Sequence, residues 1–519
     1  MALLRAAVFA ALSLLLGAVN VLAQDVTLSS QDGDIEISGT LLGFDGQFYR
    51  VETVYGELTV DGSGVRCEGP GCPNLTDFVA ELRFSGSSTM GEVLVPALIE
   101  GFALRSGLIV EREDIDPERF DYTLRDGQSG RRVARLFFRV TTTDEGFADL
   151  LANEADIVMS LREITQEERD RALEAGLGDL TGENRSRVLA LDAFVPVTAA
   201  GNPLRSISLS DLSLVLSGEI DNWSALGGPD APISVHMPSA ASGLAQAAER
   251  RLLTRVDRVI SPNVIRHKRS SMLARAVAVD PFAIGIASFA ETDATRMLTL
   301  TGECGFSLAA TRRTIKTEDY PLTSPMFLYL PARRLPKIGR DFLAYMRGPA
   351  AQIVIRRAGF VDQAAEEISI NAQGDRFANA IAAAGDDVSL SDLQNMVRQL
   401  HSMARLTTTF RFETGSARLD AQSRSNVEQF ARALESGAFD ARRIVFAGFS
   451  DGEGPAATNR KIAAKRAEAV RDAVLRMAET LPKDRVVLDT VAFGEAMPMA
   501  CDDSAWGAQV NRRVEVWLE

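Results

Sequence analysis

From Asp25 to about Asn74, apolar and polar residues alternate in short runs. These are Asp34-Ile-Glu-Ile-Ser-Gly-Thr-Leu-Leu, Phe48-Tyr-Arg-Val-Glu-Thr and Gly56-Glu-Leu-Thr-Val, separated by Gly and Asp. Period-two alternation broken by turn residues predicts half-buried strands, so residues 24–80 read as a small β-rich domain, a barrel or meander. From about Leu82 to Asp362, strand-like and helix-like patterns alternate, which predicts an α/β domain over residues 81–362. Residues 363–406 differ. They open on Ala-Ala-Glu-Glu, and Ser389-Leu-Ser-Asp-Leu-Gln-Asn-Met-Val-Arg-Gln-Leu carries a Ser cap with apolar residues at helical spacing. This segment reads as a helical connector. Residues 407–519 follow the order strand, helix, strand, helix, strand, strand. The fold class is therefore multidomain and mainly α/β, with a β-rich start.

The first residues follow a different rule. A short basic start ending at Arg5 precedes an apolar run from Ala6 to Val19, and Val21-Leu-Ala23 places small residues just before Gln24. That is the pattern of a cleavable secretory signal over residues 1–23. No Cys follows the cleavage point, so no lipid anchor is expected. No later run is long and apolar enough to span a bilayer, so a soluble exported mature protein is expected.

Composition narrows the partners. The chain has 519 residues, too many for one core, with 46% hydrophobic and 24% charged residues and a net charge of −14. Without a Lys/Arg run, this argues against nucleic acid. It leaves small anions open, because helix N-termini and backbone N–H groups bind them without net positive charge. Four cysteines occur. Cys67 and Cys72 flank the turn-forming Glu-Gly-Pro-Gly and are expected to pair, while the pairing of Cys304 and Cys501 stays open. Three histidines, none near a cysteine pair, argue against a zinc site. No cofactor is implied. His236, His267 and His401 form no recognisable arrangement with a nucleophile, so the chain reads as a non-enzyme.

The last region carries the most specific pattern. Strand Thr408-Thr-Phe-Arg-Phe leads to Gly415-Ser-Ala-Arg-Leu-Asp, and strand Arg443-Ile-Val-Phe-Ala-Gly-Phe ends at Ser450-Asp451. Gly454, Asn459 and Arg466-Ala467 follow, and the chain closes on Asn511-Arg-Arg-Val-Glu515. Across residues 407–519 this resembles the OmpA-like peptidoglycan-binding family. The resemblance implies that the domain takes the zwitterionic end of diaminopimelate in the peptidoglycan stem peptide. Asp451 would accept from the ammonium, Arg466 would hold the carboxylate in a planar two-pronged contact, and Asn459 would support them. Ser450 stands where the family has Thr, and Ala463 where a Ser is common.

The central region begins with Phe84-Ser-Gly-Ser-Ser-Thr-Met-Gly, a strand, a Gly/Ser turn and a helix start that suit an oxyanion. Glu154-Ala-Asp-Ile-Val-Met-Ser-Leu-Arg, Ser217-Gly-Glu-Ile-Asp-Asn-Trp and Asp319-Tyr-Pro-Leu follow in order. Together these resemble the periplasmic phosphate-binding proteins of ABC transporters, and the resemblance implies a two-lobed type II binding-protein fold. Anion contacts would then come from Ser87, Ser88, Thr89, Thr143, Arg162, Ser242 and Gly243. There is one departure: Pro238 stands where the family places a phosphate-pairing Arg, and Leu244 where it has Thr. Arg162 would have to compensate, or the ligand differs, or the cleft is degenerate, and weak phosphate binding is expected. The whole reads as a cell-wall-tethered binding protein for phosphate or a related oxyanion, serving an ABC transporter permease. The alternative is an envelope adaptor with a degenerate cleft. The role of the N-terminal β domain is not readable.

Overall fold

The computed structural model describes residues 25–519 apart from 76–77, 183, 293, 303–305, 386, 414–415, 417, 483 and 503–504. The leader expected over residues 1–23, and Cys304, lie outside the described residues. No described helix is long and apolar enough to cross a membrane.

The chain divides into two compact units. The first runs through Leu82 and adds Thr123–Arg135 and Arg334–Asp341. Its five strands lie in the order Gly56–Asp61, Phe48–Thr53, Glu36–Phe44, Asp25–Ser30, Val65–Glu68, every neighbour antiparallel. It is a meander whose last strand returns beside the first. No pairing between the described residues joins its two edges, so it is an open sheet rather than a barrel. Its core is small, built on Val26, Leu28, Tyr49 and Val51. Two staples compensate. Cys67 and Cys72 form the expected disulfide, with Cα atoms 5.8 Å apart. Asp45 accepts from Arg334 Nε at 2.7 Å and Arg340 at 2.5 Å, and Arg340 also reaches Gln47 at 2.9 Å. Burial works against the Asp45 charge, but the Phe48 and Gln47 amides and Arg340 outweigh it and hold the carboxyl below its ordinary value.

The second unit contains two lobes joined by one long strand, Ser186–Thr198, whose apolar run from Val188 to Val197 is buried throughout. Its first part pairs with Thr323–Tyr329 and its second with Ala283–Ser288. Beyond Thr323–Tyr329 lie Ile157–Ser160, Ala80–Ser87, Arg132–Thr141, Arg119–Asp126 and Leu108–Asp116. Beyond Ala283–Ser288 lie Ser234–Pro238 and Ile265–His267. Asp192 sits at the handover between the two sheets. It is fully buried, accepts from Ser288 Oγ at 2.6 Å and from the Ala193 amide, and burial pushes its carboxyl up to about 6. Parallel pairing of Ala80–Ser87 with Ile157–Ser160, and of Ser234–Pro238 with both its neighbours, sends the following helices off one edge of each sheet.

The C-terminal part of this unit is a sheet ordered Glu367–Ile368, Ala404–Arg411, Arg513–Leu518, Arg443–Phe449, Val487–Gly494. One face, with Ile444 and Phe446, packs with helices Ala421–Glu435 and Ala456–Met477. The other face presents Val445, Ala447, Phe449 and Trp517 to Ala380, Leu393, Met396 and Leu400. The segment expected as a connector over residues 363–406 is therefore a layer of this domain. The strand Arg443–Phe449 is apolar at every position after its first, so both its faces need cover. A short helix, Ala505–Asn511, also separates the two last strands that the sequence pattern ran together.

Candidate functional site

Four helices begin at one place in the two-lobed part. The strand Ala80–Ser87 turns into helix at Ser88 and Thr89, and helices Thr143–Leu151, Gly243–Leu252 and Ser270–Val279 start there too. A small cavity of about 20 Å³ lies among their N-termini. Ser87, Ser88, Thr89, Thr143, Ser242 and Gly243, the residues the resemblance pointed to, all line it. Each helix end offers N–H groups without an intrahelical acceptor and a partial positive charge. Several hydroxyls add to these. The Ser242 side chain makes no cap bond to its own helix, and the buried Thr141 Oγ1, also in the lining, has no partner among the described residues. Among the described residues no carboxylate lines the cavity itself, although Thr89 Oγ1 donates to Glu291 at 3.3 Å.

Two glycines permit this approach. Gly86 has φ +126° and lies so close to the neighbouring strand that a Cβ would sit 2.3 Å from the Met159 carbonyl oxygen. Gly243, on the second lobe, abuts Thr143 on the first, and a Cβ there would sit 2.4 Å from Thr143 Oγ1. Thr143 is fully buried and its Oγ1 already accepts from the Leu161 amide at 3.2 Å, so it has little freedom to yield.

In the C-terminal domain Asp451 follows strand Arg443–Phe449, while Asn459 and Arg466 stand on helix Ala456–Met477. Asp451 and Arg466 are each only 8% exposed, less than a side chain open in a groove. Asp451 accepts a hydrogen bond from Arg512. Arg466 has its guanidinium over the Phe412 ring at 5.1 Å and no hydrogen-bond partner among the described residues. Burial first, then the like charge of Arg512, draws its pKa below the ordinary arginine value against the pull of Asp451. Asn459 donates to Glu495 at 2.7 Å, which fixes it as a support. Asn511 clamps the loop beside the site, accepting from the Met499 and Ala500 amides and donating to Asp502 at 2.8 Å. Gly415 and Ala417, part of the quoted motif, lie outside the described residues.

Residues 75–349, just over half of the chain, match the PBP superfamily domain. The chain belongs to the PBP superfamily. Residues 411–512 match the OmpA family, so the protein joins a PBP domain to a C-terminal OmpA domain. Similar curated proteins are the phosphate-binding protein PstS of Borreliella burgdorferi, 23% identical over 40% of this chain and 71% of its own length, and that of Staphylococcus haemolyticus, 22% identical over 52% and 77%. Among solved structures, an ABC-type phosphate transport receptor from Vibrio cholerae is 19% identical, covering 54% of this chain and 99% of its own, with a TM-score of 0.40. The peptidoglycan-associated lipoprotein of Burkholderia pseudomallei is 25% identical over 21% of this chain and 89% of its own, with a TM-score of 0.19.

The PBP domain departs from the sequence expectation at Arg162, which does not line the cavity. All five of its N–H groups are committed: to Gln246 at 2.5 Å, the Glu163 carbonyl at 3.0 Å, Glu168 at 2.7 and 2.8 Å, and Asp144 at 2.6 Å. Gln246 belongs to the second lobe and also donates to Asp144 at 2.6 Å. Arg162 is therefore a latch between the lobes. Pro238 also lines the cavity, and Lys268 stands at its exposed mouth. Strand Ile265–His267 pairs in parallel with Ser234–Pro238, setting His267 opposite Pro238, so Lys268 comes next to Ser239. Lys268, Ser239 and Ser270 were missed, although Lys268-Arg-Ser-Ser is itself a strand-to-helix turn. Leu244, only 1% exposed, faces the core of its lobe and lines no part of the cavity.

Behind Pro238 and Lys268, His236 Nδ1 and His267 Nε2 lie 2.9 Å apart with rings stacked, and the buried His236 Nε2 has no partner among the described residues. Burial, and for His236 also the charge of His267, lowers both pKa values from the ordinary 6.5, Asp280 opposing this at His236. As pH falls through that value, the unfolded chain takes up protons before the folded one. Stability carried by this pair is therefore complete above about pH 6.5 and lost below it. Thermal unfolding midpoints should fall on acidification, and His267→Gln should flatten that part of the slope. An unchanged slope in the variant would assign the effect elsewhere.

Proposed function

We propose that the PBP domain binds phosphate or a chemically similar oxyanion, and that the OmpA domain holds the protein to peptidoglycan through the free end of diaminopimelate. The observation that carries the first half is the convergence of four helix N-termini, an unpartnered buried hydroxyl and Lys268 on a cavity lined by no carboxylate among the described residues. Such a lining offers helix-end N–H groups and hydroxyl donors with Lys268 at its mouth, and it suits an anion of a few atoms. The second half rests on Asp451 beside two arginines, Arg466 and Arg512, where a carboxylate and an ammonium can both be met. In this reading the protein is exported to the periplasm, stays at the wall, and presents its anion to a transporter permease.

The adaptor reading has one observation in its favour. The Arg162–Gln246–Asp144 latch joins the lobes through protein groups alone. Calorimetric titration of the full chain with phosphate, and with sulfate as competitor, separates the two. Saturable heat supports a binding protein, and none up to millimolar anion supports the adaptor. For the wall, the full chain should co-sediment with purified diaminopimelate-type peptidoglycan. Asp451→Ala and Arg466→Ala should each abolish co-sedimentation at unchanged thermal stability. Full retention in the double variant refutes the assignment.

A further inference from the structure

A second cavity, of about 500 Å³, lies between the first lobe of the PBP domain and the OmpA domain, well away from the anion cleft in its lining. Its size is that of a small-molecule site. One part of the wall is apolar: Leu343, Met346 and Leu328 from the PBP side, Val427 and Met477 from the OmpA side. The remainder is basic. Five arginines line the cavity against two glutamates, in a chain whose net charge is −14. Glu428 is shared, pairing with Arg432 at 2.8 Å and Arg347 at 3.7 Å. Arg187 has no ion pair at all among the described residues. Its Nε is buried without a hydrogen-bond partner, and its one side-chain hydrogen bond among the described residues is a long 3.5 Å approach to Asn184. Burial, then the like charges of Arg347 and Arg432, draws its pKa down to about 10. A half-buried guanidinium whose Nε has no acceptor, and which only the more distant Glu428 offsets, leaves room for an anionic partner in the cavity it lines.

We infer that this cavity binds an amphiphile with an anionic head and an apolar body, the head held by Arg187 and Arg347 and the body lying on Leu343, Met346, Val427 and Met477. Charge complementarity selects the sign of the head, and the apolar wall selects a ligand larger than a bare ion. The anion cleft lacks any such wall, so the two sites take different ligands.

The test uses the full chain and decanoate as probe, with acetate as a head alone and octyl glucoside as an uncharged amphiphile. Saturable one-to-one decanoate binding is expected, not displaced by inorganic phosphate and matched by neither control. Arg187→Gln with Arg347→Gln should weaken decanoate by about tenfold or more, the scale of one lost charge-assisted contact. Should that variant unfold, Ala473→Trp, which fills the cavity from the OmpA side, decides the matter: it should abolish binding at unchanged thermal stability. Octyl glucoside binding as tightly as decanoate, displacement by phosphate, or full binding in the tryptophan variant would overturn the proposal.

Discussion

Gly243→Val should leave the protein folded and weaken the proposed anion binding by about tenfold to a hundredfold. The added carbons enter a contact between the lobes where even a Cβ would lie 2.4 Å from Thr143 Oγ1 and 3.3 Å from Leu161 Cβ. Overpacking of a fixed contact costs about 1–3 kcal/mol, and here the cost falls on the closed arrangement alone, because opening the cleft relieves it. A ligand favours closure only by its differential affinity for the closed state, so the cost appears directly as about tenfold to a hundredfold weaker binding. Lys268→Gln gives a graded companion. It removes the one cation among the described residues of the lining and should weaken the proposed phosphate binding by about tenfold, with the loss shrinking as salt rises. Calorimetry on both variants checks this. Wild-type affinity in Gly243→Val would mean that the contact with Thr143 is not part of the binding state. Adding Leu244→Thr to restore a family hydroxyl should cost stability instead, because Leu244 packs in the core.

Arg405→Met should destabilise the OmpA domain by about 3–5 kcal/mol, the scale for removing one partner of a buried pair. Arg405, 1% exposed, donates to Asp319 at 2.7 and 3.0 Å. Asp319 is the residue that opens the Asp-Tyr-Pro-Leu segment of the PBP domain, so the pair joins the two domains. Burial opposes the charge on Arg405, yet Asp319 and Glu515 outweigh it and raise its pKa above the ordinary arginine value. The variant leaves Asp319 buried without its hydrogen-bonded counterion, whereas Glu515 keeps Arg376 and Arg513. Denaturant unfolding should show the loss, and Arg405→Met with Asp319→Leu should recover much of it, since an apolar replacement of both partners is often near neutral. A double variant no better than the single one would show that the rest of the network depends on Asp319.

Local pattern was enough for a good deal of this protein. Ser87 to Thr89, Ser242 and Gly243 are legible as strand-to-helix turns because a Gly/Ser run between an apolar strand and a helix start has few other conformations. The Cys67–Cys72 staple follows from the turn between the two residues. Asp451, Asn459 and Arg466 were named through the resemblance to the OmpA-like family, and one strand end and one helix carry all three. What escaped depends on partners far away in the chain. The placement of Arg162 was settled by Gln246, Glu168 and Asp144, which together with the Glu163 carbonyl took every donor it had. Lys268 became a site residue only because Ile265–His267 pairs in parallel with Ser234–Pro238, and a register between separated strands is set by packing, not by either strand's own sequence. The layer formed by residues 363–406 was hidden for the same reason. Its apolar stripe shows that it must be covered, but only the doubly apolar strand Arg443–Phe449 shows by what. Sequence thus determined the elements, their faces and the chemistry at their ends; the tertiary structure decided which buried charge meets which partner, because that choice is made by long-range pairing and desolvation.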